Sequence, residues 1–376
     1  MALQLLQQPG AVNFAGDPII VKAKTNLTGK TFLRIVAVCK VKAVASNESA
    51  EHSEEYSYSV GTDGIATLNV GHTVQNFLEN KMEQKMQGGS LSTSLYKAVF
   101  SLALREVYLD GTLEVTGDTV QTESFTAIPG SLTEYERMSA SNHDTETLIG
   151  ICRILSRKPD GERIALGDTL HIPAVQNVSG SSNIAYKLTQ GSTVKTGNAH
   201  TPDALVPVII SHQVTGLSNG DLSILVGGVE LTRKRIVPAT DDMRRFVFLN
   251  GFGLVESVTA FVRESLTYNI SSESFIVPSD ISYDGNTSVL NYADSPKATF
   301  VMSSGFVSRA WAEWWVNEFL PTRRAWMEVD GRYVPVAIVP EEKNQLFDRS
   351  KPGLIAVKFN VKYAFAGGTM NRFTRN

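Results

Sequence analysis

What this 376-residue chain lacks narrows its role before anything it contains is considered. It has two cysteines, Cys39 and Cys152, far apart and each inside an apolar run, so neither a disulfide framework nor a metal-binding cysteine spacing can be built. Two buried thiols in a reducing compartment are the expectation. The six histidines are scattered, with no pair at i,i+2 or i,i+4, which argues against a local metal site. Charged residues are 19% of the chain, below the usual quarter of a soluble domain, and the net charge is −3. That balance argues against a nucleic-acid coat or a polybasic membrane binder. No apolar run approaches the ~20 residues of a membrane helix. The opening Met1–Gly10 lacks the basic region and apolar core of a signal peptide, so synthesis and folding in a cytoplasm are expected. Five Asn-x-Ser/Thr sequons, Asn26 and Asn286 among them, then carry no weight.

Catalytic signatures are missing as well. No Gly-x-Ser-x-Gly, Walker loop or zincin pattern occurs. Gly251-x-Gly253 lacks the third glycine and the following helix of a dinucleotide fingerprint. The pairs Glu54-Glu55, Asp241-Asp242 and Glu341-Glu342 are adjacent in sequence, so their side chains diverge in extended chain. His143-Asp144 sits in a polar connector and reads as a solvated loop. The chain is expected not to be an enzyme and to need no cofactor or metal.

What is present is β-pattern. The expected fold class is mainly β: two or three antiparallel β-sandwich-like domains with a few short amphipathic helices. Their expected bounds are 1–130, 131–240 and 241–376. In the first, Leu33, Ile35, Ala37, Cys39 and Val41 alternate with Arg34, Lys40 and Lys42 in a half-buried strand. Tyr56, Tyr58 and Val60 repeat the period of two, and Asp63-Gly64 reads as a hairpin turn into Ile65–Val70. From Thr73 to Met86 the period lengthens: Val74, Phe77, Leu78, Met82 and Met86 predict an amphipathic helix with Thr73 as N-cap. Leu95–Leu109 is a long strand closed by Asp110-Gly111. A polar connector, 129–145, is expected to act as a hinge. The middle region has short apolar runs separated by turn residues, with Ser179–Asn198 as an exposed loop. In the last region Ser304–Leu320 predicts a helix stopped by Pro321, Asp330-Gly331 closes a hairpin, and Leu354–Phe365 alternates as a strand.

The stretch Arg245-Phe-Val-Phe-Leu-Asn-Gly-Phe-Gly-Leu-Val-Glu-Ser-Val-Thr-Ala-Phe-Val262 places two β-runs around a Leu249-Asn250-Gly251 turn. Gly64, Asn250, Gly251, Gly253 and Gly331 are the candidate structural turns, with glycine required there by backbone conformation. Trp311, Trp314, Trp315, Arg244, Arg245 and Glu256 are the candidate interface residues. The aromatic stripe Trp311, Trp314, Trp315 and Phe319 could serve as a sugar-stacking platform, but helical spacing makes a core face the first reading and a protein–protein anchor the second. Solvated strand ends are the default for the arginines, with a contact to a neighbouring subunit as the alternative, and an outward-facing position is the default for Glu256, with pairing across the sheet or across a subunit boundary as the alternatives.

Three segments carry a resemblance. Phe248–Ser257 resembles an "FLN-x-x-G-x-x-E-S" signature, Val12–Val21 an "F-x-G-N-P-I-x-V" opening strand with Asp17 in place of Asn, and Gly64–Leu78 a "G-x-x-x-x-D-V-S-x-I-L-x-x-x-L" strand-to-helix step with Asn69 near the usual Asp. Together, and in this order, they are similar to a structural, tail- or neck-associated virion protein family of tailed phages infecting Bacteroidota. The resemblance implies a non-enzymatic virion component assembled in the host cytoplasm into an oligomeric ring or tube. Its implied partners are copies of itself and other tail proteins, with no nucleic acid and no membrane insertion. A receptor- or glycan-binding tail-tip module, whose further partner is a host surface receptor, is the alternative.

Overall fold

The computed structural model describes residues 3–45, 48–87, 89–139, 145–180, 182–226, 228–262, 267–269, 272–277, 288–293, 297–341 and 355–364. The fold is mainly β, and the sheets organise three hydrophobic cores drawn from successive parts of the chain.

The first core lies between two sheets. One has the order Gln4–Gln7, Ile20–Lys24, Ile65–Asn69, and the other the order Val12–Phe14, Phe125–Ile128, Lys97–Asp110, Thr31–Ala45, Glu48–Ser59. Ile35, Ala37, Cys39 and Val41 are buried, as their alternation predicts. Asp110-Gly111 closes a hairpin between Lys97–Asp110 and Leu113–Gln121. Asp63-Gly64 does not. Gly64 does take a left-handed φ of 77°, but the strands on either side belong to different sheets, so this turn passes the chain between the two layers.

The helix runs Gly71–Lys81 instead of 73–86. Thr73 is not its cap; it is buried, with its hydroxyl against that of Tyr56. Asn69 holds the entry instead, its Oδ1 accepting from the N–H groups of Ile19 and Gly71, each at 3.1 Å. Beyond Lys81 the chain turns into a hairpin, Glu83–Gln87 with Ser90–Ser94. Gln84 explains why. Its amide donates to Gly253 O at 2.7 Å and accepts from Val255 N at 2.8 Å, and these long-range bonds outweigh a weak helical preference.

The middle core is a sandwich of a three-stranded sheet (Cys152–Ile154, Thr169–Gln176, Val208–Gln213) and a five-stranded one, ordered Glu162–Ala165, Val229–Val237, Gly220–Val226, Ser182–Gln190, Thr193–Thr201. The segment expected as an exposed loop, 179–198, is mostly a hairpin. Ile184, Tyr186 and Leu188 are buried on one face, and its Ser/Gly/Thr content hid that alternation. Among the described residues two strand pairings are parallel, Phe125–Ile128 with Val12–Phe14 and Glu162–Ala165 with Val229–Val237.

The third unit closes on itself. Val255–Val262, Met243–Leu249, Ala325–Val329, Arg332–Pro340, Ile355–Tyr363 and Lys297–Val307 pair in turn, and the last pairs back with the first, giving a six-stranded barrel. Asp330 and Gly331 both have positive φ, 50° and 71°, as a two-residue type I′ hairpin requires. The helix expected over 304–320 begins later. Ser304-Gly305 forms a bulge in the strand Lys297–Val307, and Ser308 caps a helix, Arg309–Trp314, that continues as a π-helical turn, Trp315–Phe319. The helix face packs on the barrel core: Trp315 lies 4.8 Å from Phe319 and 5.7 Å from Phe359, and Phe248 lies 5.9 Å from Trp314.

A fourth cluster belongs to no single unit. Phe14, Leu95 and Ile128 meet Leu155, Val175 and Leu205 and then Phe252 and Leu254. The described part of the 129–145 connector is drawn into it through Leu132, so it is packed where a hinge was expected. Thr133 and Glu136 form a reciprocal capping box that starts the short helix Glu134–Ser139. His143-Asp144 lies outside the described residues.

Candidate functional site at the junction of the three units

The Phe248–Ser257 stretch supplies the centre of this junction. Phe246 and Phe248 face the barrel core while Val247 and Val255 face a second inter-unit cluster with Met86 and Trp326. A strand buried on both faces explains the unbroken run Phe-Val-Phe-Leu, which alternation alone would not produce.

Asn250 is 6% exposed and uses its whole amide. Oδ1 accepts from Phe252 N at 3.0 Å and Leu254 N at 3.2 Å, which shapes the loop. Nδ2 donates to Leu155 O at 2.8 Å in the middle unit and to Glu256 Oε2 at 3.2 Å. Gly253 has φ 69°, the left-handed backbone that glycine tolerates best. Gly251 does not need positive φ. A Cβ there would sit 2.5 Å from Arg157 Nη1 and 2.6 Å from Glu318 Oε2, the ends of two long side chains paired with each other, so an added methyl would have to displace that ion pair. That corrects the conformational reason expected for it.

Two ionic groups flank the loop. In the first, Arg157 bonds Glu318 at 2.7 Å, Glu136 at 3.1 Å and the carbonyl of Ser131, and lies 4.5 Å over the Phe252 ring. Glu318 also accepts from Gly251 N at 2.8 Å. The π-turn makes this geometry available: it aims Glu318 at the loop while Trp315 and Phe319 stay in the core. Burial would raise the Glu136 carboxyl, but the Thr133 N–H and Arg157 hold it below its ordinary value.

The second group is almost solvent-free. Glu256 accepts from the Ser156 hydroxyl and lies 3.5 Å from Lys158. Lys158 pairs with Glu162 at 2.8 Å and donates to the Ser257 carbonyl; Lys234 pairs with Glu162 at 2.6 Å. All four charged side chains are at most 5% exposed. Burial would raise the Glu162 carboxyl, but the two lysines outweigh it and hold the pKa down. Ser257 Oγ accepts from His171 N at 3.1 Å, linking barrel and sandwich strands. The His171 ring bonds Ser211 at 3.0 Å; burial, then Arg245 and Lys158, push its pKa down to about 3, so it is neutral. Asp168 nearby is raised by burial against the pull of Arg245.

The expected interface residues therefore fare differently. Glu256 is 3% exposed and bonded within the chain, so neither an outward-facing position nor a subunit-boundary contact applies to it. Trp314 and Trp315, 5% and 2% exposed, belong to the core and cannot anchor a partner from there. Trp311 is half-buried and its indole donates to Asp160 O at 2.9 Å, a barrel-to-sandwich contact. Arg245 is buried 3.8 Å from Glu328 and is not a solvated end. Arg244 is half-buried and bonds the carbonyls of Asp241 and Met243 at 2.7 Å each. Gln84, Arg157, Lys158, Glu162 and His171 were not singled out from sequence. Gln84, Arg157 and His171 lie far along the chain from their partners, and although Lys158 and Glu162 are four residues apart, their other partners, Glu256 and Lys234, are distant, so no local pattern marks the group.

A crevice of about 650 Å³ opens beside the loop between the first and third units. The acids lining it are each engaged by an arginine, Glu79 with Arg323 at 3.3 Å and Glu318 with Arg157. Cys39 and Cys152 are free thiols, raised by burial to about 12 and about 11, which makes both poor nucleophiles. Among the described residues, no three His, Cys, Asp or Glu side chains are grouped to hold a metal ion, and no helix is long and apolar enough to cross a membrane. No model of a known protein family matches the chain, and a search of curated proteins finds no match.

Proposed function

We propose that this chain is a non-enzymatic structural component of a phage virion, a tail or neck protein that assembles with copies of itself into a ring or tube. One observation carries the reading furthest. Within the stretch that resembles the phage signature, Asn250, Glu256 and Ser257 of the third unit bond Leu155, Ser156 and His171 of the middle unit, and the backbone of Gly253 and Val255 bonds Gln84 of the first, so the stretch is spent on joining three β-units. A motif used in this way serves a block that must keep its shape under load, and its polar groups are turned inward, away from any substrate. The alternative, a glycan-binding tail-tip module, loses its proposed stacking platform because Trp314 and Trp315 face the core.

Electron microscopy of the purified protein, with its mass in solution from sedimentation, tests the proposal. Rings, stacked rings or tubes are the expected result. A monodisperse monomer at all concentrations, failing to join any particle, would contradict it, and glycan binding would then be measured.

A further inference from the structure

A second cavity, of about 330 Å³, opens where the middle sandwich meets the barrel. Its polar wall is drawn from distant elements: Arg153 from the three-stranded sheet, Thr232 and Lys234 from the five-stranded one, Ser156 and Lys158 from the segment between them in sequence, and Glu256 from the barrel.

The hydrogen-bonding capacity left on this wall is one-sided. Its acceptors are largely used. Glu256 Oε1 accepts from the Ser156 hydroxyl and Oε2 from Asn250 at 3.2 Å, while Ser156 Oγ itself accepts from Lys158 N at 3.1 Å. Thr232 gives its hydroxyl proton to Asp160 Oδ1 at 3.2 Å, an exposed carboxylate that also accepts from Arg233 N at 2.9 Å. Donors are in surplus. Lys234 is 4% exposed and, among the described residues, bonds Glu162 alone, at 2.6 Å. Arg153 is half-buried and bonds only the Leu148 carbonyl, through Nη1 at 3.2 Å. An ammonium and a guanidinium each have more N–H groups than those bonds use. Burial lowers the Arg153 pKa against the pull of Glu136, as for a cation short of a counter-charge. Buried donors are normally paired, so the cavity suits a guest that accepts hydrogen bonds and carries negative charge.

Size and the rest of the lining narrow the guest. At about 30 Å³ per water-sized group the cavity holds roughly ten non-hydrogen atoms. Ile149, Ile154 and Leu231 add apolar wall. An inorganic oxyanion would leave that wall without a partner, whereas a short organic acid would meet both kinds of surface.

We propose that this cavity binds a small organic carboxylate, with its charged end held by Arg153 and Lys234 and its carbon chain against the apolar wall. A guanidinium takes a carboxylate through two parallel N–H bonds, and the buried ammonium adds a third donor. The inference goes beyond the assembly reading and does not need it: the bound acid would tie sandwich to barrel in a lone chain or in a ring.

The chain carries its own reporter. Cys152 lines the cavity and is half-buried, whereas the other cysteine, Cys39, is fully buried in the first core. The rate at which N-ethylmaleimide labels Cys152 therefore reads occupancy. At constant ionic strength, butyrate at ten times its dissociation constant is expected to slow labelling about tenfold, and butyramide or phosphate at the same concentration less than about twofold. Arg153→Gln, its fold checked by circular dichroism, is expected to weaken butyrate about tenfold or more. Calorimetric titration of the wild type with butyrate, expected to give one site per chain, decides the matter if the thiol or the variant proves unusable. No saturable butyrate binding, equal protection by butyramide, or protection by phosphate alone overturns the proposal. Butyrate affinity unchanged in Arg153→Gln overturns the assignment to this cavity. Neither set of results depends on whether the protein assembles.

Discussion

Asn250 shows at the scale of one side chain why the signature residues resist replacement. Removing its amide in Asn250→Ala strips the partners from two loop N–H groups and from the Leu155 carbonyl, all buried. The expected destabilisation is about 2–4 kcal/mol, read from chemical denaturation. Glu162→Gln leaves two buried ammonium groups short of their carboxylate and should cost about 3–5 kcal/mol. His171 sets a pH dependence. Its folded pKa, about 3, lies below the ordinary 6.5, so the unfolded chain binds the proton first. Its contribution is complete above pH 6.5 and is lost as pH falls toward 3, with a slope approaching about 1.4 kcal/mol per pH unit. Glu162, also lowered, adds to acid loss at lower pH, whereas Asp168, raised, works against it. Between pH 6.5 and 5 two lowered histidines act in the same direction, His171 and, held down by burial and Lys195, His212. His171→Gln should partly flatten the denaturation midpoint there, and an unchanged slope would assign it to other groups.

Among the elements, the loop separates two reasons for glycine. Gly253 has left-handed φ and open space around its missing Cβ, so Gly253→Asn, which tolerates that region, should cost less than about 1 kcal/mol. Gly251→Ala should cost about 1–3 kcal/mol, because its methyl drives Arg157 and Glu318 apart. Comparing the two midpoints checks both. The strands of the first and third units were legible in the sequence because one face of each alternates, as in Ile35–Val41 and Val357–Val361. Elements went astray where a distant partner intervened. Gln84 draws 83–87 out of the helical register, and the Ser304-Gly305 bulge keeps strand where spacing suggested helix. The junction was legible only as a motif: Asn250 and Glu256 could be picked out, but Arg157 and Lys158, which complete it from about a hundred residues away, could not.

For the whole molecule, the junction implies that the three cores share one stability. Opening any one unit alone would break part of the apolar cluster of Phe14, Leu155 and Phe252, and opening the middle or third unit would also break the bonds around Asn250. Such linkage suits a subunit held by neighbours on several sides, since force applied to one unit is passed to the others. The most direct test is equilibrium unfolding of the wild-type chain followed by two probes. Tryptophan fluorescence reports the third unit, which contains all four tryptophans, and far-ultraviolet circular dichroism reports the sheets of all three. Coincident transitions are predicted for the wild type, separating into two in Asn250→Ala. Separate transitions in the wild type itself would mean that the units are independent and that the signature loop does not join them.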